Sequence, residues 1–319
     1  MKKSEKVVIS LIFLAFISLI YCIESKASLY LNNLNFEVQI NEDASMEVIE
    51  TWDIDISETN TLFKTFKTDR EKYSGITDVK VSEISNGAES ELTQINQLMY
   101  HVTKNCYYGI KNNEGNFEIA WGVGLDNSSA TKRYKIKYKV KNAITKYNDY
   151  SELYWQFIGE EFEIPASNIN GTIYLPQNCK EKEDIKVWGH TEELNGTIYA
   201  TDVNKIEFNV DGYNRGNVVE VRILFPTEMI TTAERIQNTS ILQKVIDEET
   251  KWADDANRKR QEKQIIKFVI LLLVVLIADL VILRSIKKNK EEYKTMEEKL
   301  HPVKLEYFRE IPREDATPR

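Results

Sequence analysis

Through the middle of the chain, apolar and polar residues alternate one by one. The run Tyr134-Lys135-Ile136-Lys137-Tyr138-Lys139-Val140-Lys141 is the clearest case, with one face apolar and the other basic. Successive side chains of an extended strand point to opposite faces, so this period of two predicts half-buried β-strands. The same alternation marks Phe36–Ile40, Trp52–Ile56, Ile206–Val210 and Val219–Phe225. Asn170-Gly171 and Asn195-Gly196 sit between such runs, which predicts type I′ hairpin turns, and Asp211-Gly212 follows another strand. The pattern predicts a mainly β fold, an antiparallel β-sandwich over residues 28–231. A Gly-rich turn from strand to helix is missing from this region, which excludes dinucleotide-binding and P-loop folds. Glu50 falls in phase with Val48, Trp52 and Ile54 on the apolar face, and a β-bulge after Val48 is expected to turn it outward.

The ends have a different texture. Lys2, Lys3 and Lys6 precede an apolar run from Val7 to Ile23, followed by the small-x-small site Ser25-Lys26-Ala27. Residues 1–27 therefore read as a signal peptide, with an uncleaved anchor as the alternative. Cys22 is not expected to carry a lipid, because Tyr21 stands where a lipobox has a small residue.

A second apolar run, Phe268–Leu283, holds fourteen Leu, Ile, Val or Phe residues and one charge, Asp279. At roughly −0.3 to −0.6 kcal/mol per apolar residue against about +2.5 to +3.5 for a central Asp, insertion stays favourable. Taken from Ile265, the segment makes a helix of roughly 28 Å, enough to cross a bilayer. Basic residues flank it on both sides, so the N-terminal signal sets the orientation. Residues 28–264 are expected outside, 265–283 in the membrane and 284–319 in the cytoplasm. Asp279 lies five residues before Arg284. It reads either as a residue near the inner interface or as a polar contact for another membrane subunit.

Between body and membrane, residues 232–264 predict a helical stalk. Thr232-Ala233-Glu234 resembles a helix start, and Leu242, Val245, Ile246 and Trp252 recur at helical spacing. Seven basic and seven acidic residues cancel there, as on a solvated helix.

Composition narrows the rest. The 319 residues carry a net charge of −8, which argues against nucleic acid as a partner, and 33 aromatic residues argue against a disordered chain. A mean hydropathy of −0.42 excludes a polytopic membrane protein. The acidity concentrates in residues 28–264, which carry −12 and favour basic peptides or divalent cations over anionic polymers. Three scattered Cys and three His cannot build a four-ligand zinc site of the usual spacing, and no cofactor is implied. His101 and His190 lie outside any nucleophile motif. Glu160, Glu161 and Glu163, beside Trp155, Phe157 and Phe162, form the densest acidic cluster and the one candidate for a hydrolase carboxylate pair or a calcium site. Cys106 and Cys179 both fall in the exported region, where a disulfide between them is permitted. Sequons begin at Asn127, Asn170, Asn195 and Asn238.

Several blocks together resemble the predicted membrane proteins of the DUF2207 family. They are Ile144–Tyr150 with Glu152–Pro176, Phe36–Glu50, Val187–Gly196, Val218–Pro226 and, in the tail, Glu306–Pro318. Tyr307, Phe308, Arg309, Pro312 and Pro318 stand at the positions of that family's cytoplasmic motif. The resemblance implies an exported β-rich domain on a membrane anchor and no particular activity. Members of that family generally continue beyond the tail motif. The expectation is thus a membrane-anchored binding or scaffold module for an envelope ligand, with Asp279 and the tail motif contacting a membrane or cytoplasmic partner. The alternative is an envelope hydrolase or metal-assisted enzyme using Glu160, Glu161 or Glu163.

Overall fold

The computed structural model describes residues 29–68, 72–125 and 128–300, so the signal-peptide reading and the tail motif lie outside it. The chain divides at Thr250 into two compact units. The first is built of sixteen strands: β1 Leu29–Ile40, β2 Met46–Ser57, β3 Thr61–Phe66, β4 Gly75–Ser85, β5 Ala88–Glu91, β6 Thr93–Gln94, β7 Cys106–Lys111, β8 Phe117–Gly122, β9 Ser129–Lys141, β10 Ile144–Lys146, β11 Tyr150–Ile158, β12 Ala166–Tyr174, β13 Lys186–Thr191, β14 Gly196–Asp202, β15 Lys205–Tyr213 and β16 Val219–Pro226. A helix, α1, runs Leu242–Lys299.

Eight strands form one large sheet in the order β14-β15-β12-β1-β2-β9-β4-β5. Two four-stranded sheets, β10-β11-β16-β13 and β3-β8-β7-β6, pack on it. The predicted alternation fills the shared core. In β2, Met46, Val48, Glu50, Trp52, Ile54 and Ile56 are all buried. Aromatic rings lock the layers together: Phe36 of β1 lies 4.8 Å from Phe157 of β11, and Trp52 of β2 lies 5.2 Å from Trp121 of β8. Edge-to-face geometry, as in the Trp pair, suits the charge distribution of aromatic rings.

The mainly β, antiparallel expectation holds, with two parallel pairings inside it, β1 with β12 and β6 with β7. Parallel neighbours need a long crossover, and over a hundred residues separate β1 from β12. The Asn-Gly turn readings need correction. Asn170-Gly171 lies inside β12, where an added Cβ at Gly171 would fall 1.9 Å from the Phe208 ring. Asn170 forms an amide ladder across three strands with Asn35 and Asn209. Asn195-Gly196 joins β13 to β14, which belong to different sheets, and Asp211-Gly212 lies within β15. The Asn-Gly hairpin turn is instead Asn86-Gly87 between β4 and β5, where φ is positive at both residues, as a type I′ turn requires.

The helix starts later than Thr232. Lys146 N donates to Arg235 O and Gln237 N donates to Lys146 O, so this stretch runs beside β10. Asp149 then caps α1, its carboxylate accepting from the backbone N–H of Ile241 at 2.8 Å and Leu242 at 3.1 Å. Leu242 to Thr250 belongs to the first unit, with Ile241 and Val245 packed on Leu224.

In the second unit, α1 is apolar on every face through Phe268–Leu283, with side chains such as Leu271 and Ile277 exposed. A helix apolar all round is suited to lipid. Among the described residues it is the one helix long and apolar enough to cross a membrane.

Candidate binding cleft and its link to the helix

Glu50 anchors the floor of the candidate site. The β1–β2 register runs unbroken through Val48 and Glu50, with its one shift at Leu31/Asn33, so the expected bulge is absent and Glu50 points inward. Its side chain is fully buried and saturated with donors. Trp52 Nε1 donates at 2.9 Å, Tyr138 Oη at 2.6 Å, and Lys64 Nζ both pairs with it and donates to Phe157 O at 3.1 Å. A buried carboxylate is tolerated only with such partners. Burial and the Glu50 charge push the Tyr138 hydroxyl well above its ordinary pKa, so it stays a donor. The Lys64 ammonium also lies 5.2 Å from the ring centres of Phe36 and Phe66.

Above Lys64 opens a cleft of about 650 Å³. Thr61–Lys67 of β3 and its flank form one wall, and Trp155–Ile164 of β11 and the following loop form the other, with Leu29, Lys72 and Tyr73 between them. The predicted carboxylates line this cleft. Glu161 pairs with Lys67 at 2.9 Å, both of them well exposed, while Glu160 and Glu163 have no ion pair among the described residues. Among those residues no group of three or more His, Cys, Asp or Glu is arranged to hold a metal, so the calcium reading of this cluster has no ligand set.

A chain of charges leads from the cleft to α1. Lys72 Nζ lies 3.7 Å from Glu220 of β16, and Glu220 lies 3.3 Å from His190 Nδ1 of β13. His190 Nε2 in turn lies 2.8 Å from Glu249 of α1. Burial opposes the imidazolium, but the hydrogen bonds to Glu220 and Glu249 outweigh it and raise His190 to about 9. The same neighbours, His190 and Tyr154, overcome burial to hold Glu220 below the usual carboxylate range. Arg222 runs alongside: Nε donates to Glu152 at 2.7 Å, and Nη1 donates to Glu248 at 2.8 Å and Glu249 at 3.2 Å. Its guanidinium stacks 5.0 Å over Tyr154, as Lys72 does at 4.7 Å.

Sequence reasoning did not find Lys64, Glu152, Arg222 or Glu249. One sequence signal was present, the in-phase Glu50; the unbroken burial of Val221–Phe225, which needs cover on both faces of β16, is visible only in the structure. Asp279 stands exposed on the apolar stretch of α1, and Tyr307, Phe308, Arg309 and Pro312 lie outside the described residues. Cys106 and Cys179 are both free thiols in this structure. Cys106 borders the small cluster of Val102, Tyr108 and Ala120, whereas Cys179 is buried in the main core, where burial pushes its thiol up to about 11.

No curated protein matches the chain significantly. Two solved structures share parts of its architecture. A candidate protease of Parabacteroides distasonis is 9% identical with a TM-score of 0.37, over 62% of this chain and 40% of that one. Yeast LTA4 hydrolase in complex with bestatin is 8% identical with a TM-score of 0.38, over 65% of this chain and 32% of that one. The chain thus spans less than half the length of either, and at these scores the likeness carries no functional argument. The family comparison is specific: the model for the N-terminal domain of predicted membrane proteins, DUF2207, matches residues 30–225. The chain therefore belongs to the DUF2207 family of predicted membrane proteins.

Proposed function

We propose that this protein is a membrane-anchored binding or scaffold module whose β-rich unit lies outside the cell and reports occupancy of its cleft to the helix. The observation that carries this reading is the line of contacts Lys72–Glu220–His190–Glu249, which joins the cleft rim to the first turns of α1. Glu220, His190 and Glu249 lie largely buried, where charges act strongly on one another, so displacing Lys72 at the rim shifts the electrostatic balance of the pairs behind it. The same helix continues to the apolar segment. In this reading the cleft carboxylates recognise a ligand rather than cleave one.

The test uses the full chain in lipid nanodiscs. Lys72→Met should speed hydrogen exchange at residues 242–250 although it touches none of them. Unchanged exchange there would remove the coupling, and turnover of an envelope polymer, abolished by Glu160→Gln or Glu163→Gln, would replace the reading with an enzyme. The sidedness has its own check. An impermeant maleimide should label Tyr100→Cys on intact cells, because that side chain is 91% exposed, and should leave Met296→Cys unlabelled.

A further inference from the structure

The two small sheets stop short of each other. β3 ends its sheet, and β10 covers only Ser151–Leu153 of β11, so Tyr154–Ile158 has no strand on that side among the described residues. In an antiparallel ladder, alternate residues turn their N–H and C=O groups away from the partner strand. The cleft is therefore bordered on both sides by edge-strand backbone, of which Phe157 O already accepts from Lys64 Nζ at 3.1 Å. With six residues in β3, the wall is roughly 20 Å long. An extended polypeptide carries the matching alternation along both of its own edges, and sugar hydroxyls or lipid headgroups do not.

Charge selects among peptides. Lys64 is held by Glu50, Lys67 by Glu161, and Lys72 lies against Glu220. Among the described residues this leaves Glu160 and Glu163 as the cleft carboxylates without an ion pair, Glu160 lying within the field of Lys67. The inner side of the opening is apolar, with Leu62, Phe66, Trp155 and Phe157 buried around it.

We propose that the cleft takes an extended peptide segment as an added strand between β3 and β11, with apolar side chains turned inward and a basic side chain facing Glu160 and Glu163. The proposal rests on the binding-module reading above and names its ligand. The inward-pointing Lys64 of β3 and the register shift between Gln156 and Ile158 of β11 are features that discourage edge strands from pairing among themselves. They are compatible with an edge kept open for a selected partner.

The experiment measures binding of synthetic peptides to the full chain in nanodiscs. The probe is a seven-residue acetylated and amidated peptide with Val at even positions, Ser at the inner odd positions and Lys at both ends. Its controls are the same peptide with Glu at both ends and one N-methylated at alternate residues. The lysine peptide is expected to bind, with each control at least tenfold weaker, and to slow hydrogen exchange within 61–66 and 154–158. The double variant Glu160→Lys/Glu163→Lys should reverse the preference to the glutamate peptide. Equal binding of the N-methylated peptide, protection elsewhere, or no binding to protein that melts normally would overturn the proposal and leave protected edges only. Those outcomes do not touch the exchange response of Lys72→Met, so a failure of the peptide is separable from a failure of the coupling.

Discussion

His190 of β13 and Glu249 of α1 meet at 2.8 Å across 59 residues of sequence, at the place where the β-rich unit grips the helix that continues to the apolar segment. Glu249 has its other oxygen on Arg222, so one buried carboxylate receives two cations from neighbouring strands. The grip is electrostatic at its centre and apolar at its edge, where Ile241 and Val245 pack on Leu224.

This grip should depend on pH. Glu220 and Glu249 raise the folded His190 to about 9 against an ordinary 6.5, overcoming burial. A group raised on folding contributes its full stability below the unfolded value and loses it as pH rises through the folded value. The contribution is therefore complete below about pH 6.5 and fades by pH 9 to 10, at most about 3 kcal/mol. The melting temperature of the full chain should fall across that window, and His190→Gln should flatten the fall.

Arg222→Met leaves Glu152 buried without its cation and Glu249 with His190 alone, a loss of about 3–5 kcal/mol by the usual cost of breaking a buried pair. Asp149→Ala removes only a cap, for about 0.5–2 kcal/mol. Hydrogen exchange at residues 242–250 should accelerate strongly in the first variant and modestly in the second. Equal effects would mean that the cap, and not the charge cluster, holds the helix start.

Lys64→Met strands the Glu50 carboxylate in the core and should cost about 3–5 kcal/mol. Glu50→Gln/Lys64→Met should be the more stable protein, because glutamine brings no charge to bury, its oxygen accepting from Trp52 Nε1 and its amide N–H donating to the Tyr138 hydroxyl. Denaturant titration of both variants decides this, and a double variant weaker than the single one would contradict it.

Gly171→Ala drives a methyl into the Phe208 ring and should destabilise by about 1–3 kcal/mol or more. Combining it with Phe208→Leu should return part of that loss. If Gly171→Ala melts like the parent, the close approach of β12 and β15 is not as described.

The strands themselves were legible because alternation is a property of a single extended backbone. Tyr134–Lys141 announces its two faces with no knowledge of its neighbours. The lipid-suited stretch of α1 was legible for the same reason, since lipid asks only for length and apolarity. Turns were less so. Asn-Gly satisfies both a left-handed turn and a close approach to an aromatic ring, and the local sequence is the same at Asn86-Gly87 and Asn170-Gly171.

The cleft was half visible. Glu160, Glu161 and Glu163 were noticed, but the β3 wall opposite them comes from about a hundred residues earlier. The in-phase Glu50 was noticed as well, and misread, because its justification is Lys64 on another sheet. Local pattern determines which residues share a face. Pairing across the chain determines what that face meets, and the free energy of burying a charge depends entirely on what it meets. So the β-rich class of the body, five of its strands and the lipid-suited helix follow from periodicity and length alone. The buried Glu50–Lys64 pair, the parallel β1–β12 seam, the open edges of the cleft and the His190–Glu249 contact exist only once distant segments have packed.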